Sequence, residues 1–213
     1  MLDNIHWLGH DSFRIDAEKT IYIDPWKLKE NVPPADLVLI SHEHGDHCSP
    51  DDVARIAGPE TTIVTNAASA ENLKGQKGQV RVVKPGDRLT VTGIQVEAVP
   101  AYNVNKFRSP GNPFHPQEAG HVGFIVTVGD QRIYHAGDTD DIPEMSDFEV
   151  DIALLPVSGT YVMTAEEAAD AARRIGPQVA IPMHYGAGVA GTRDDAERFA
   201  NLYDGEVVIL EQE

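Results

Sequence analysis

Short apolar runs separated by turn residues dominate the first half of the chain, and this pattern predicts strands. The run Leu37-Val38-Leu39-Ile40 is apolar at every position. A strand of this kind is typically covered on both faces. A loop rich in histidine follows it at once. The strands predicted in this half span residues 5–8, 12–15, 21–23, 36–40, 62–65, 80–83, 88–91 and 94–99.

Helix signals lie between the strands. Ser49 before Pro50 predicts a capped helix start, and Thr164 with Glu167 forms a capping box before an alanine-rich segment that Gly176-Pro177 ends. Short helices are also predicted at 67–73 and 192–202. The strands predicted in the second half span residues 123–128, 132–135, 152–155, 179–181 and 207–210.

The two halves repeat one order of motifs. Gly9-His10 and Gly120-His121 each precede a predicted strand, and the apolar runs 36–40 and 151–155 each follow a hairpin. Several matches in register favour an internal duplication. Two such halves predict an α+β fold, a four-layer αβ/βα sandwich with helices outside two packed sheets. A site that uses both halves would lie where their loops meet, at one edge.

We therefore expect a single domain over residues 1–213, with similar halves at roughly 1–100 and 120–213. Residues 103–120 contain three prolines and two glycines and show no periodicity. A loop of this length in a compact domain is usually a lid or a binding loop.

Charge and composition narrow the choice of partners. Asp and Glu number 34 against 17 Lys and Arg, which gives a formal net charge of −17. Such a surface repels polyanions, so nucleic acid is not expected as a partner. The sequence has no signal-peptide pattern and no apolar run near the ~20 residues of a membrane span, which predicts a cytoplasmic protein without a membrane partner. The oligomeric state stays open.

The segment His42-Glu43-His44-Gly45-Asp46-His47 is the strongest chemical signal. An H-x-H-x-D-H pattern arises by chance in this composition on the order of once in a thousand sequences. Imidazoles and carboxylates are ligands of divalent transition metals. The segment predicts one or two such ions, zinc first, with manganese, nickel or iron as alternatives.

With Gly137-Asp138-Thr139 and Pro182-Met183-His184, each after a predicted strand, this motif resembles the metallo-β-lactamase-fold hydrolase superfamily. Trp7-Leu8-Gly9-His10 and Ile23-Asp24-Pro25 resemble its small branch of ascorbate-6-phosphate lactonase-like proteins. The resemblance implies a four-layer fold and a dinuclear hydrolytic site. It assigns one ion to His42 and His44, the other to Asp46, His47 and His184, and places Asp138 between them.

One position of that family pattern is missing. Where a third histidine for the first ion would stand, this chain has Asn103, and an amide is a weak ligand for a transition metal. The candidates to replace it are His10, His115 and His121. His10 is favoured as a ligand because it ends a strand at the same edge. His121, its repeat partner, is expected behind the ligands. His115 is expected to be an ordinary surface histidine or one behind the ligands, unless the loop closes.

Further residues are candidates for supporting roles. Asp24 is expected to hydrogen-bond a ligating histidine, with a turn cap as the alternative. Four loop residues are candidates to bind a substrate anion, with a solvated loop as the alternative: Tyr102, Asn103, Lys106 and Arg108. Asp140 is expected in a solvated acidic turn.

The leading hypothesis is a metal-dependent hydrolase in which an activated water attacks a small anionic substrate, a lactone or a phosphodiester. Asp46 or Asp138 would accept or relay the proton. One alternative is a nuclease or RNA-processing phosphodiesterase. The other is a non-catalytic metal-binding module, which the missing histidine would explain.

Overall fold

Two mixed β-sheets pack face to face in the computed structural model, which describes residues 2–213. The first sheet has the order β1-β2-β3-β4-β5-β6: β1 (Ile5–Gly9), β2 (Ser12–Asp16), β3 (Thr20–Ile23), β4 (Ala35–Ile40), β5 (Ala57–Thr65) and β6 (Gln79–Val82). The strands of the second part of the chain are β7 (Arg88–Val91), β8 (Ile94–Pro100), β9 (Phe107–Ser109), β10 (Asn112–Pro113), β11 (Val122–Val128), β12 (Gln131–His135), β13 (Ile152–Pro156), β14 (Val179–Met183) and β15 (Glu206–Val207). The second sheet has the order β15-β14-β13-β12-β11-β8-β7, and β9 pairs with β10 alone.

In each sheet the pairing changes from antiparallel to parallel at one strand, which is β3 in the first sheet and β12 in the second. In the first sheet β1, β2 and β3 are antiparallel, and β3 to β6 are parallel. In the second sheet β8, β11 and β12 are antiparallel, and β12 to β15 are parallel. Strands β7 and β8 pair in the second sheet although they lie within residues 1–100. The boundary between the sheets therefore falls between β6 and β7, earlier than the expected halves.

In the described part of the chain, four α-helices lie outside the sheets: α1 (Pro50–Ile56), α2 (Ala67–Asn72), α3 (Ala165–Ile175) and α4 (Arg193–Leu202). Short 3-10 helices span Leu2–Asn4, Gln117–Ala119 and Pro143–Asp147. The predicted caps are present: the Ser49 hydroxyl accepts from the backbone N–H of Asp52, and Thr164 and Glu167 form the capping box. No helix among residues 2–213 is both long enough and apolar enough to span a lipid bilayer.

Strand β4 shows why its sequence is continuously apolar. Leu37 and Leu39 belong to the core between the two sheets, whereas Val38 and Ile40 pack on the opposite face with Ile56 of α1. The side chains of these four β4 residues are fully buried. Period-two side-chain direction places alternate residues in the two cores. The predicted four-layer α+β sandwich is thereby confirmed.

The loop 103–120 is anchored to the rest of the fold by a buried carboxylate. Asp140 accepts hydrogen bonds from the backbone N–H groups of Val104, at 2.7 Å, and Asn105, at 2.9 Å. The expectation of a solvated turn at Asp140 is wrong, because its side chain is fully buried and accepts the hydrogen bonds of these two loop N–H groups. Lys106, beside them, bonds Glu167 of α3 at 2.6 Å.

Candidate metal centre

Loops from five places in the fold meet at one edge of the sandwich. Three follow β4, β12 and β14, the fourth is the turn between β1 and β2, and the fifth is the loop 103–120, which carries His115. After β4, the backbone N–H groups of His47 and Cys48 both donate to the carbonyl of His44, so the chain turns and returns His47 to within a ring-centroid distance of 4.1 Å of His42. His10 and His184 have positive φ angles of 55° and 62°, a backbone strain that is typical of functional sites.

The first cluster consists of His42, His44, His115 and Asp138. His42 Nε2 lies 3.0 Å from His44 Nδ1, and His115 Nε2 lies 3.3 Å from the same atom. Asp138 Oδ2 is 3.2 Å from His115 Nε2 and 3.9 Å from His42 Nε2. His44 is partly exposed, and the other three side chains are buried. Three imidazole nitrogens and one carboxylate oxygen therefore face a common point.

The second cluster consists of His10, Asp11, His47 and His184, all buried. Asp11 Oδ2 lies 3.5 Å from His10 Nε2, 3.7 Å from His47 Nε2 and 3.9 Å from His184 Nε2. Asp138 reaches this cluster with its other oxygen, since Oδ1 is 3.3 Å from His47 Nε2 and 3.5 Å from His184 Nε2. Asp138 therefore lies between the clusters and gives one oxygen to each.

The donor atoms fit divalent metal ions. Six buried atoms of the second cluster and its neighbour Asp138 have no hydrogen-bond partner: His10 Nδ1, Asp11 Oδ1, Asp11 Oδ2, His47 Nε2, His184 Nε2 and Asp138 Oδ1. Leaving such atoms buried and unpaired is costly. Atoms that bind one ion at ~2.0–2.2 Å stand roughly 3–4 Å apart, as these atoms do. The combination of imidazole and carboxylate donors suits a transition metal.

Asp24 fixes histidines of both clusters. Its Oδ2 accepts from His47 Nδ1 at 2.8 Å and from the Ser41 hydroxyl at 2.6 Å, and that hydroxyl lies 2.9 Å from His42 Nδ1. A ring that donates from Nδ1 presents the lone pair of Nε2 to the cluster. His184 Nδ1 makes the corresponding contact with the Ser158 hydroxyl at 2.8 Å. Asp24 lies where a residue that orients ligands is expected.

Asn103 stands behind the histidine that occupies the gap. Its Oδ1 accepts from the backbone N–H of His115 at 2.8 Å and lies 3.0 Å from His115 Nδ1. Its Nδ2 donates to the carbonyl of Tyr161 at 2.8 Å and to Asp140. The structure therefore places His115 beside His42 and His44, and His10, which was favoured for that position, in the second cluster. His115 is 1% exposed, so its assignment to the surface is wrong.

His10 and His121 occupy equivalent places in the two repeats and contact acidic residues of the same loop. His10 Nε2 lies 3.2 Å from Asp46 Oδ2, and His121 Nε2 lies 3.1 Å from Glu43 Oε2. The Asp46 side chain is partly exposed and lies beside the second cluster. The repeat thus supplies one histidine on each side to position the His42–His47 loop.

The two clusters shift histidine pKa values in opposite directions. Burial, and then the neighbouring imidazoles, hold the pKa of His42 and of His44 below the usual value. Burial alone would also lower the pKa of His47 and His184, but it is outweighed at His47 by the carboxylates of Asp138, Asp24 and Asp11, and at His184 by those of Asp138 and Asp11. The pKa of His47 is raised well above 6.5 and that of His184 to about 8.

The nearby carboxyls stay ionised at neutral pH. Burial opposes ionisation of Asp46, but the hydrogen bond from His10 and the charge of His47 lower its pKa to about 2. Burial likewise opposes ionisation of Asp138, and His47, His184 and His115 hold its pKa well below 3.8. Both carboxylates are therefore acceptors and potential ligands rather than acids.

A cavity of about 400 Å³ opens beside the first cluster. Its lining residues are His44, Asp46, Arg108, Phe114, His115, Asp138 and Tyr161. The Arg108 guanidinium lies 5.2 Å from the centre of the Phe114 ring. The cavity therefore combines candidate ligands, an aromatic wall and a cation.

The four candidate substrate-binding residues do not share one location. Arg108 lines the cavity. Lys106 is paired with Glu167, and the Tyr102 hydroxyl bonds Glu144 at 3.0 Å. Asn103 holds His115. Asp11, which the sequence reasoning missed, follows His10 directly, and that adjacency is the signal that would have pointed to it.

Comparisons with known proteins show what this chain is similar to. The family model described as Beta-lactamase superfamily domain matches residues 4–184. A UPF0173 metal-dependent hydrolase of Thermoplasma acidophilum is 34% identical, covering 93% of this chain and 89% of that protein. One of Methanopyrus kandleri is 34% identical, covering 97% and 96%. A crystal structure from Parabacteroides distasonis, described as a candidate metal-dependent hydrolase, superposes with a TM-score of 0.85 at 35% identity, covering 98% of this chain and 93% of that chain.

Proposed function

This chain belongs to the beta-lactamase superfamily and is a metal-dependent hydrolase, and on that basis we propose that it hydrolyses a small anionic ester, a lactone or a phosphodiester, at a site for two divalent ions. The first ion would be held by His42, His44 and His115. The second would be held by His47 and His184 together with nearby carboxylates, including Asp46, and Asp138 would bridge the two.

Asp138 is the observation that supports this proposal most directly. Its Oδ1 faces His47 and His184, and its Oδ2 faces His115, all within 3.5 Å. A carboxylate between two sets of imidazoles fits a bridge between ions, and two-ion sites in hydrolases hold the ions about 3.5–4 Å apart. When bound, such a pair supplies an activated water and Lewis acidity toward the oxygen under attack.

The residues of the chain would position the reactants. Asp46, with a pKa of about 2, lines the cavity as an ionised acceptor that orients a water. A carboxylate of such low pKa is a weak base, so orientation and proton relay are better suited to Asp46 than outright proton abstraction. His10 fixes this carboxylate from behind, at 3.2 Å.

Arg108 supports an anionic substrate. It is the one Lys or Arg among the cavity-lining residues that lie within residues 2–213, in a chain of net charge −17. A guanidinium offers paired donors to a carboxylate or phosphate. A single cation in a cavity of about 400 Å³ fits a small molecule better than an RNA backbone, which needs several phosphate contacts.

We propose zinc for the first position, because three imidazoles and one carboxylate are a typical zinc ligand set.

A resemblance to lactonase-like proteins at Trp7–His10 supports a lactone over other esters. No specific contact among residues 2–213 favours the nuclease alternative.

A substrate panel tests the proposal. The purified chain, loaded with zinc or with manganese, is assayed on a chromogenic phosphodiester, a phosphorylated lactone, a neutral lactone and a single-stranded RNA. We expect turnover of a small anionic ester and none of RNA. Metal-loaded protein that is inert on every ester would support the non-catalytic module instead, and RNA cleavage in its place would support the nuclease.

A further inference from the structure

Asp11 is a buried carboxylate without a hydrogen-bond partner. Its side chain is fully buried, and neither Oδ1 nor Oδ2 accepts a hydrogen bond. Buried carboxylates are normally paired, hydrogen-bonded or bound to a metal, because an isolated one is costly. Asp52 shows the ordinary solution: the backbone N–H groups of Lys27 and Leu28 and the Ser49 hydroxyl donate to its two oxygens.

The fold does not require a carboxylate at this position. In the repeat, Gly9-His10-Asp11 corresponds to Gly120-His121-Val122. Val122 is fully buried at the start of β11, as Asp11 is just before β2. An apolar side chain therefore suits the equivalent place in the second half. The carboxylate of Asp11 needs an explanation other than folding.

The surroundings of Asp11 supply that explanation. Its Oδ2 lies 3.7 Å from His47 Nε2 and 3.9 Å from His184 Nε2, and both nitrogens lack a hydrogen-bond partner. Asp138 Oδ1 approaches the same two nitrogens from the other side, at 3.3 and 3.5 Å. Two carboxylates and two imidazoles thus surround one point.

We propose that Asp11 is a direct ligand of the second ion and that it reduces the preference of this position for zinc over manganese. This inference rests on the proposed two-ion site. The first position has three imidazoles and one carboxylate oxygen, a set that favours zinc. The second adds the carboxylate of Asp11 to that of Asp138, and carboxylate oxygens are the donors that suit manganese. Zinc binds most nitrogen and oxygen sites more tightly than manganese. The expected difference is therefore that the ratio of zinc affinity to manganese affinity is smaller at the second position than at the first.

Two variants with a matched control test the proposal. Asp11→Asn keeps the shape and removes the charge, and Asp11→Val installs the residue of the second repeat. Asp52→Asn removes a buried charge whose oxygens are already satisfied. Dissociation constants for zinc and manganese at each position are measured on the metal-free chains by competition with a chelator, and bound manganese is counted by electron paramagnetic resonance. Circular dichroism checks the fold.

Asp11→Asn and Asp11→Val should each weaken manganese binding at the second position by at least about tenfold, the loss seen when even a supporting residue of a metal site is removed. Zinc at that position should weaken less than manganese, and the first position should be unchanged. Asp52→Asn should bind both metals like the wild-type chain.

The wild-type chain gives a test that needs no variant. After one equivalent of zinc, added manganese should bind at the second position and give the spectrum of a bound ion. A wild-type chain that holds only one ion would overturn the two-ion site and this inference together. Two ions in the wild-type chain, with unchanged manganese affinity in both Asp11 variants, would overturn this inference alone.

Discussion

The two clusters share Asp138 but differ in access and in charge. The first includes the partly exposed His44, and both His44 and His115 line the cavity. The second is buried at every member and includes the additional carboxylate of Asp11. This difference supports the proposal that a substrate would meet the first cluster, with the second cluster behind it.

The charges around each histidine explain the opposite pKa shifts. Burial lowers the pKa of His42 and His44, and the neighbouring imidazoles lower it further, so these two rings stay neutral. His47 and His184 face Asp138 and Asp11, whose negative charges raise the pKa despite burial. Like charges disfavour the protonated imidazole and opposite charges favour it. In the metal-free protein, protons therefore reside on the second cluster.

Removal of Asp138 should have the largest effect, because both clusters lose it. We expect Asp138→Ala to fold, to lose both ions, and to lower kcat/KM by about 1000-fold or more, the equivalent of several kcal/mol of transition-state stabilisation. His44→Ala should release one ion only. Metal content by mass spectrometry, circular dichroism and kcat/KM measure these effects.

Asp141→Ala is the matched control for Asp138→Ala, since Asp141 lies in the same segment and is paired with Arg174 on the surface. It should keep both ions and full turnover. An Asp138→Ala chain that retains both ions would contradict a bridging role.

Asp24→Asn should have the next largest effect and should disturb both clusters. Asp24 accepts from His47 Nδ1 and, through Ser41, supports His42. Loss of such a support typically costs about 10- to 100-fold in metal affinity. Ser158→Ala, which removes the contact to His184 alone, should weaken only the second ion. Chelator competition measures the metal affinities of both variants. Equal losses of affinity at both positions in Ser158→Ala would contradict the assignment of Ser158 to the second position alone.

The pH dependence of metal binding should separate the clusters in the unmodified chain. A proton on His184, whose pKa is about 8, must leave before Nε2 binds an ion. Below pH 8 the affinity of the second position should therefore fall about tenfold per unit for each competing proton. The first position should change little near neutral pH, because the pKa values of His42 and His44 lie below 6.5.

Calorimetry in two buffers of different ionisation enthalpy counts the protons that each ion releases. We expect release when the second position fills and little release when the first fills. Proton release at the first position alone would contradict the assignment of charge to the two clusters.

Arg108→Ala should have the smallest effect and should act on the substrate rather than the metal. We expect KM to rise about fivefold, the equivalent of ~1 kcal/mol for one exposed hydrogen bond, with kcat nearly unchanged. Lys106→Ala serves as the comparison, since Lys106 is already paired with Glu167. Unchanged KM for an anionic ester in Arg108→Ala would remove the argument for an anionic substrate.

Local sequence could predict the parts of this site that follow strands. The apolar run of β4 predicts a strand covered on both faces, so the motif from His42 to His47 must lie at the carboxyl end of that strand. Asp138 and His184 follow β12 and β14 in the same way. These residues could be named because each strand end fixes the place of the residues that follow it.

His115 could not be placed in this way. It lies in a loop without periodicity, and its position depends on Asn103 and on the buried Asp140, which bonds the loop backbone. Those contacts join residues distant in sequence, and a local pattern does not encode them. Asp140 was misjudged for the same reason, since an acidic turn looks solvated until its tertiary donors are known.

The internal repeat does not predict Asp11. His10 and His121 match between the halves, whereas Asp11 and Val122 differ. Duplication explains the residues that match, so the carboxylate of Asp11, which has no counterpart in the second half, must be explained by the site.

A crystal structure of the zinc-loaded chain, with anomalous diffraction measured at the zinc edge, tests the central claim most directly. We expect two anomalous peaks on either side of Asp138, one among His42, His44 and His115 and the other among Asp11, His47 and His184. A single peak, or peaks away from Asp138 in fully zinc-loaded protein, would contradict it.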